Sequence, residues 1–124
     1  MTNLVLLADD DEDSRDLVSF LLQRGAVSAK LLFAENGKEA VALAQERQPR
    51  LILMDMNMPV MDGWTAVSLL KKDDRTKDIP VIAFTARAGQ EDVARTKGIG
   101  CVAHFAKPID PEELMKIIQT YIHQ

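Results

Sequence analysis

The chain has 124 residues, with 15 Lys and Arg against 19 Asp and Glu, a net charge of -4 and a hydrophobic content of 47%, which suits one domain whose folding buries roughly two-thirds of the unfolded chain's surface. This acidic balance, with no clustered Lys/Arg stripe, excludes a footprint for phosphate backbones, so no nucleic-acid partner is expected. The N-terminal apolar stretch ends at Ala8, too short for a signal-peptide core or a membrane span, and the lone Cys101 has no internal disulfide partner, so a cytoplasmic location without membrane contact is expected.

The first apolar run, LVLLA at 4–8, leads into five consecutive acids, Asp9, Asp10, Asp11, Glu12 and Asp13, and then into a helical pattern over 13–24. Carboxylates are stabilised at a helix start by the backbone dipole, which accounts for Asp11, Glu12 and Asp13. Asp9 and Asp10 are left over at the end of the run. An EF-hand loop on Asp9, Asp11 and Asp13 fails, because Ser14 replaces the turn glycine and Phe20 stands where a bidentate Glu is needed. The run KLLFA (30–34) precedes the turn signal ENG and a helix over 37–47. LILM (51–54) leads through MDG to a helix over 63–73, with Met54, Met56, Met58 and Met61 around Asp55 read as soft packing residues. VIAF (81–84) is followed by a helix over 90–97 with only Val93 and Ala94 as apolar anchors, expected to be among the least stable elements. CVAHF (101–105) follows KGIG. GIGCVA fits a dinucleotide fingerprint in letters only, since it leaves a helix and enters a strand. Cys101 reads as a small buried hydrophobe and His123 as a frayed terminal residue. In the last helix Asp110 is the N-cap and Pro111 the first helical residue, and Leu114, Ile117, Ile118, Tyr121 and Ile122 form one apolar stripe.

Five near-continuous apolar runs alternating with helices predict parallel strands buried on both faces, hence an α/β, doubly wound, three-layer sandwich. In such sheets the ligand crevice lies beyond the carboxyl ends of the strands. Asp9 and Asp10 follow the first strand, Asp55 the third, Thr85 the fourth and Lys107 the fifth. Three crowded carboxylates repel, and Lys107 supplies only one cation. A divalent ion supplies the rest, and an all-oxygen set with open water positions suits Mg²⁺. An Asp carboxylate is a nucleophile toward phosphorus, and Asp55 is the best placed. Lys107, the Thr85 hydroxyl and the metal would neutralise the equatorial oxygens of a transferring phosphoryl group.

With Asp9-Asp10, LILMDMNMPVMDG (51–63), IPVIAFTA (79–86) and AKPI (106–109) in this order, the chain resembles the receiver domain of two-component response regulators, in particular the short chemotaxis-regulator kind. The resemblance covers 1–124 as one receiver domain and implies a five-stranded sheet in the order 2-1-3-4-5. It implies that Asp55 accepts a phosphoryl group from a phosphohistidine on a histidine kinase or a histidine phosphotransfer protein. Asp10, Asp55 and the backbone carbonyl of Asn57 would hold Mg²⁺, with Asp9 reaching it directly or through water and Mn²⁺ able to substitute. Lys107 would pair with the phosphoryl oxygens and Thr85 would hydrogen-bond them. His104 occupies the rotamer-switch position usually held by an aromatic residue, Pro108 follows a peptide bond that is usually cis, and Ile109 replaces a common Phe. Asn57 and Arg87 would tune water access. The chain would act as a regulator that assists its own phosphorylation and dephosphorylation, and signal to a downstream protein through the face of helix 4, strand 5 and helix 5. The initial Met and the polar end at IHQ favour a stand-alone protein. The alternative is a haloacid dehalogenase-like phosphatase with an aspartyl-phosphate intermediate, which Asn57 argues against because an amide cannot shuttle the proton.

Overall fold

In the computed structural model residues 3–25, 29–86 and 89–122 are described; the expectations on Arg87 and His123 lie outside them. Strand β1 (Asn3–Ala8) is followed by α1 (Glu12–Arg24), β2 (Ala29–Ala34), α2 (Gly37–Arg47), β3 (Leu51–Asp55), α3 (Gly63–Lys72), β4 (Val81–Thr85), α4 (Gln90–Gly98), β5 (Ala103–Ala106) and α5 (Pro111–Ile122). The sheet has the order β2-β1-β3-β4-β5, and every neighbouring pair is parallel.

The strand period of two divides the core. Leu6, Ala8, Ile52, Met54, Val81 and Ala83 point to one face, where Ala40 and Ala44 of α2 and Ala66, Val67 and Leu70 of α3 cover them. Val5, Leu7, Leu51, Leu53, Ile82 and Phe84 point to the other, under Val18, Leu21 and Leu22 of α1 and Leu114, Ile118 and Ile122 of α5. Burial on both faces is complete along β3 and β4 and the last four residues of β1. It does not extend to β2 and β5, which are only partly buried because they are the sheet's edges; Lys30 on β2 suits an exposed edge.

The elements otherwise follow the sequence pattern with small shifts at their ends. The ladder continues one residue past the apolar runs, so Asp55 and Thr85 close β3 and β4 rather than follow them. Strand β5 starts at Ala103 instead of residue 101, because the Cys101 N–H turns back to the Thr96 carbonyl of α4 at 3.0 Å. Helix α3 stops at Lys72, and Asp73 is its C-cap. At the start of α1, Asp11 caps by accepting from the Asp13 N–H at 3.0 Å, and Glu12 and Asp13 fill the first turn. Asp110 accepts from the Glu112 N–H at 2.9 Å ahead of Pro111. Gly100 at φ +108° occupies a backbone region that only glycine adopts freely. No described helix is long and apolar enough to cross a membrane.

Candidate functional site

The parallel register brings the carboxyl ends of β1, β3 and β4 level, since Ala8 pairs with Met54 and Asp55 with Phe84. The next residue after β1 is Asp9, fully buried, whose own N–H is held by the Ala34 carbonyl at 3.0 Å. Its Oδ1 accepts from the Asp11 N–H at 2.9 Å, and its Oδ2 lies 2.9 Å from the Lys107 ammonium. Asp55 is 4% exposed; its Oδ1 accepts from the Asn57 N–H at 2.9 Å, and its Oδ2 lies 3.3 Å from the same ammonium. Lys107 reaches both because its N–H donates to the Thr85 carbonyl at 2.8 Å, pinning the turn after β5 to the end of β4. The Lys107–Pro108 peptide bond is cis, as expected.

Asp10 is exposed and completes the set: one carboxylate oxygen from each of Asp9, Asp10 and Asp55 lies within 4.8 Å of the others. The floor depends on Gly63. A Cβ there would come within 2.5 Å of the Asp55 carbonyl oxygen and 2.6 Å of Met56 Cα, so only glycine lets α3 start against the end of β3. The loop between them holds Val60 at φ 67°, a left-handed conformation that a β-branched residue adopts at a cost. Met54, Met56 and Met58 are buried, so the methionines pack as expected. Cys101 is also buried, and burial pushes its thiol up to about 11, which leaves it unreactive.

Charge in the pocket is unbalanced. Burial first, then the charge of Asp9, raises the Asp55 carboxyl above its ordinary value, against the Asn57 N–H and Lys107, which lower it. For Lys107 burial favours the neutral amine, but the hydrogen bond it donates to Asp9 and the charges of Asp55 and Asp9 outweigh that and raise the ammonium. Among the described residues, three carboxylates against one cation leave two negative charges uncompensated, and the donors are all hard oxygens. The oxygens of Asp9, Asp10 and Asp55 are a set that could hold a divalent ion such as Mg²⁺. Asn57 is exposed beside it on the same loop.

The fourth strand end carries a hydrogen-bonded series. Thr85 Oγ1 lies 2.8 Å from His104 Nε2, and His104 Nδ1 lies 3.2 Å from Thr96 Oγ1 on α4. The Thr96 hydroxyl donates to the Val93 carbonyl at 2.9 Å, so toward the ring it accepts. Those roles assign the ring proton to Nδ1, and a neutral ring then accepts the Thr85 hydroxyl proton at Nε2. The sequence reading left Thr96 out. A threonine on a polar helix carries no signal of its own, and only the packing of α4 on β5 reveals that it is fully buried. Sequence reading also missed Arg95, whose guanidinium carbon sits 3.9 Å from the ring centroid of Trp64.

Chemically, the pocket brings together a buried carboxylate of a kind that can act as a nucleophile, a fixed cation, a hydroxyl and a place for a divalent ion. The hydrolase alternative gains nothing from it, because Asn57 has an amide where a proton shuttle needs a carboxyl.

A family model described as the response regulator receiver domain matches residues 5–119. The polar-differentiation response regulator DivK of Brucella anthropi is 36% identical over 122 residues, which cover 98% of each chain. The solved structure of the chemotaxis protein CheY4 of Vibrio cholerae superposes with a TM-score of 0.86 at 31% identity, covering 98% of this chain and 99% of that one. The receiver domain of the sensor histidine kinase PA1611 of Pseudomonas aeruginosa, solved with a magnesium ion coordinated in its active-site cleft, superposes with a TM-score of 0.86 at 27% identity, covering all of both chains.

Proposed function

The chain belongs to the response regulator receiver family, and on that premise we propose that Asp55 accepts a phosphoryl group from a phosphohistidine of a histidine kinase or histidine phosphotransfer protein. The observation that carries this reading is the Lys107 ammonium bridging Asp9 and Asp55 at 2.9 and 3.3 Å within a cluster of three carboxylates. An Asp55 oxygen forms the new bond to phosphorus while the phosphorus–nitrogen bond of the donor breaks, and the freed imidazole takes a proton from solvent. Lys107 neutralises the phosphoryl oxygens, and the Thr85 hydroxyl donates to one of them. Asp9, Asp10, Asp55 and the Asn57 carbonyl would hold Mg²⁺, with Mn²⁺ able to replace it. That ion supplies charge neutralisation for the incoming phosphoryl oxygens. A fold that positions these groups by itself also assists its own phosphorylation and dephosphorylation.

The signal leaves through Thr85 and His104. In the described state the Thr85 hydroxyl is engaged with the ring, so donation to a phosphoryl oxygen must break or reverse that hydrogen bond. The ring is joined to α4 through Thr96, so the change reaches the face formed by α4, β5 and α5, where a downstream protein binds. Residues 1–124 act as one receiver unit in the cytoplasm. Treatment with a small acyl phosphate and Mg²⁺ tests the core of this reading. Intact-mass spectrometry should show one added phosphoryl group in the wild type and none in Asp55→Ala; equal labelling of the variant would defeat the assignment.

A further inference from the structure

A cleft of about 440 Å³ opens beside the acid pocket, lined by Asn57, Trp64, Thr85, Ala86, Asp92 and Arg95. Two of these lie near Asp55: Asn57, whose N–H donates to the Asp55 carboxylate at 2.9 Å, and Thr85, which closes the neighbouring strand β4. The lining also includes a pair from two different helices, Trp64 in the first turn of α3 and Arg95 on α4. The guanidinium lies over the indole face at 3.9 Å, well within the range where the ring quadrupole attracts a cation.

We propose that Arg95 is a second phosphoryl-binding cation, parked on Trp64 while Asp55 is unmodified and drawn into the cleft once Asp55 carries a phosphoryl group. The inference rests on the reading of Asp55 as the phosphoacceptor.

Over the partly buried Trp64 indole a guanidinium is held more weakly than it would be by a charged partner. A phosphoryl group brings up to two negative charges and three acceptor oxygens, and arginine's planar fork suits such oxygens better than any other side chain. Lys107 approaches from β5 and is already shared between Asp9 and Asp55. Among the described residues lining this cleft Arg95 is the cation, and the other charged one, Asp92, would repel a phosphoryl group unless Arg95 offsets it. Arg95 is exposed and sits on a helix in which Thr96 is the only buried one of the described residues, so few core contacts hold its side chain in place.

The geometry includes its own reporter, because Trp64 is the only tryptophan in the chain. When Arg95 leaves, one face of the indole is uncovered. Acrylamide quenching of Trp64 emission should therefore rise in proportion to the phosphorylated fraction measured by intact mass. In Arg95→Gln quenching should be high from the start and should not change on phosphorylation. Binding of beryllofluoride with Mg²⁺ should weaken about tenfold in Arg95→Gln, equivalent to about 1.4 kcal/mol, and Arg95→Lys should recover part of that loss. If the wild type is fully phosphorylated with unchanged quenching, or Arg95→Gln shows the wild-type change and affinity, the inference is overturned while the phosphoacceptor reading stands. If Asp55 takes no label in the wild type, both fall together.

Discussion

Asp55 is held in a state that works against the metal-free fold. Burial and the charge of Asp9 raise its carboxyl above the ordinary 3.8, so the folded protein binds that proton more tightly than the unfolded chain does. Stability from this group is therefore greatest at low pH. It falls as the pH rises from about 3.8 through the raised folded value, and the penalty is constant above that. In a chelator, the pH dependence of the melting temperature should lose this component in Asp55→Asn, which should also be more stable than the wild type at pH 7. Equal pH profiles would show that the repulsion carries no weight. Val60 is a second residue with a cost. It stands at φ 67° with its side chain 80% exposed, so no packing offsets the strain. Asparagine tolerates that conformation, and Val60→Asn should stabilise the protein by about 1 kcal/mol in urea unfolding.

Among the elements, α4 and α5 are opposites. Helix α5 buries Leu114, Ile118 and Ile122 in the core and starts on an Asp110 cap with Pro111. Helix α4 has Gly89 as its N-cap, with no side-chain hydrogen bond to cap it, and a threonine is the only buried one of its described residues. Amides of 93–98 should exchange with solvent well before those of 114–122, as measured by hydrogen exchange under native conditions; comparable protection in both would contradict the weak anchoring of α4. Thr96 is what ties α4 to β5. Replacing it by valine keeps the shape but removes the acceptor for His104 Nδ1, so Thr96→Val should cost about 1–2 kcal/mol and change the ring's NMR signals. In that variant, phosphorylation at Asp55 should proceed while the amide shifts of α4 on activation shrink.

For the whole molecule the pocket is a strain that a ligand relieves. Three carboxylates from two strand ends meet one ammonium, so a divalent ion that binds only the folded state raises stability by mass action, by about 2.7 kcal/mol at a hundredfold excess over its dissociation constant. The melting temperature should climb by several degrees with Mg²⁺ and return with chelator. Asp10→Asn should flatten that response and raise the metal-free value. A variant with the wild-type Mg²⁺ response would remove Asp10 from the site.

The alternation of apolar runs and helical patterns already determined the three layers, and the placement of Asp9, Asp10, Asp55, Thr85 and Lys107 at strand ends determined which chemistry could meet there. Both are local properties: a period of two or 3.6 and the residue that follows a run can be read without knowing the fold. The tertiary structure decided what depends on distant parts of the chain. Whether a strand is central or at an edge follows from the pairing order, which is why β2 and β5 are half-exposed although their letters match those of β3 and β4. The bridge of Lys107 to Asp9 and Asp55 needs β1, β3 and the turn after β5 in register across the sheet. Thr96 against His104 and Arg95 over Trp64 arise only where α4 lies against β5 and α3, a packing that no periodicity along the chain encodes.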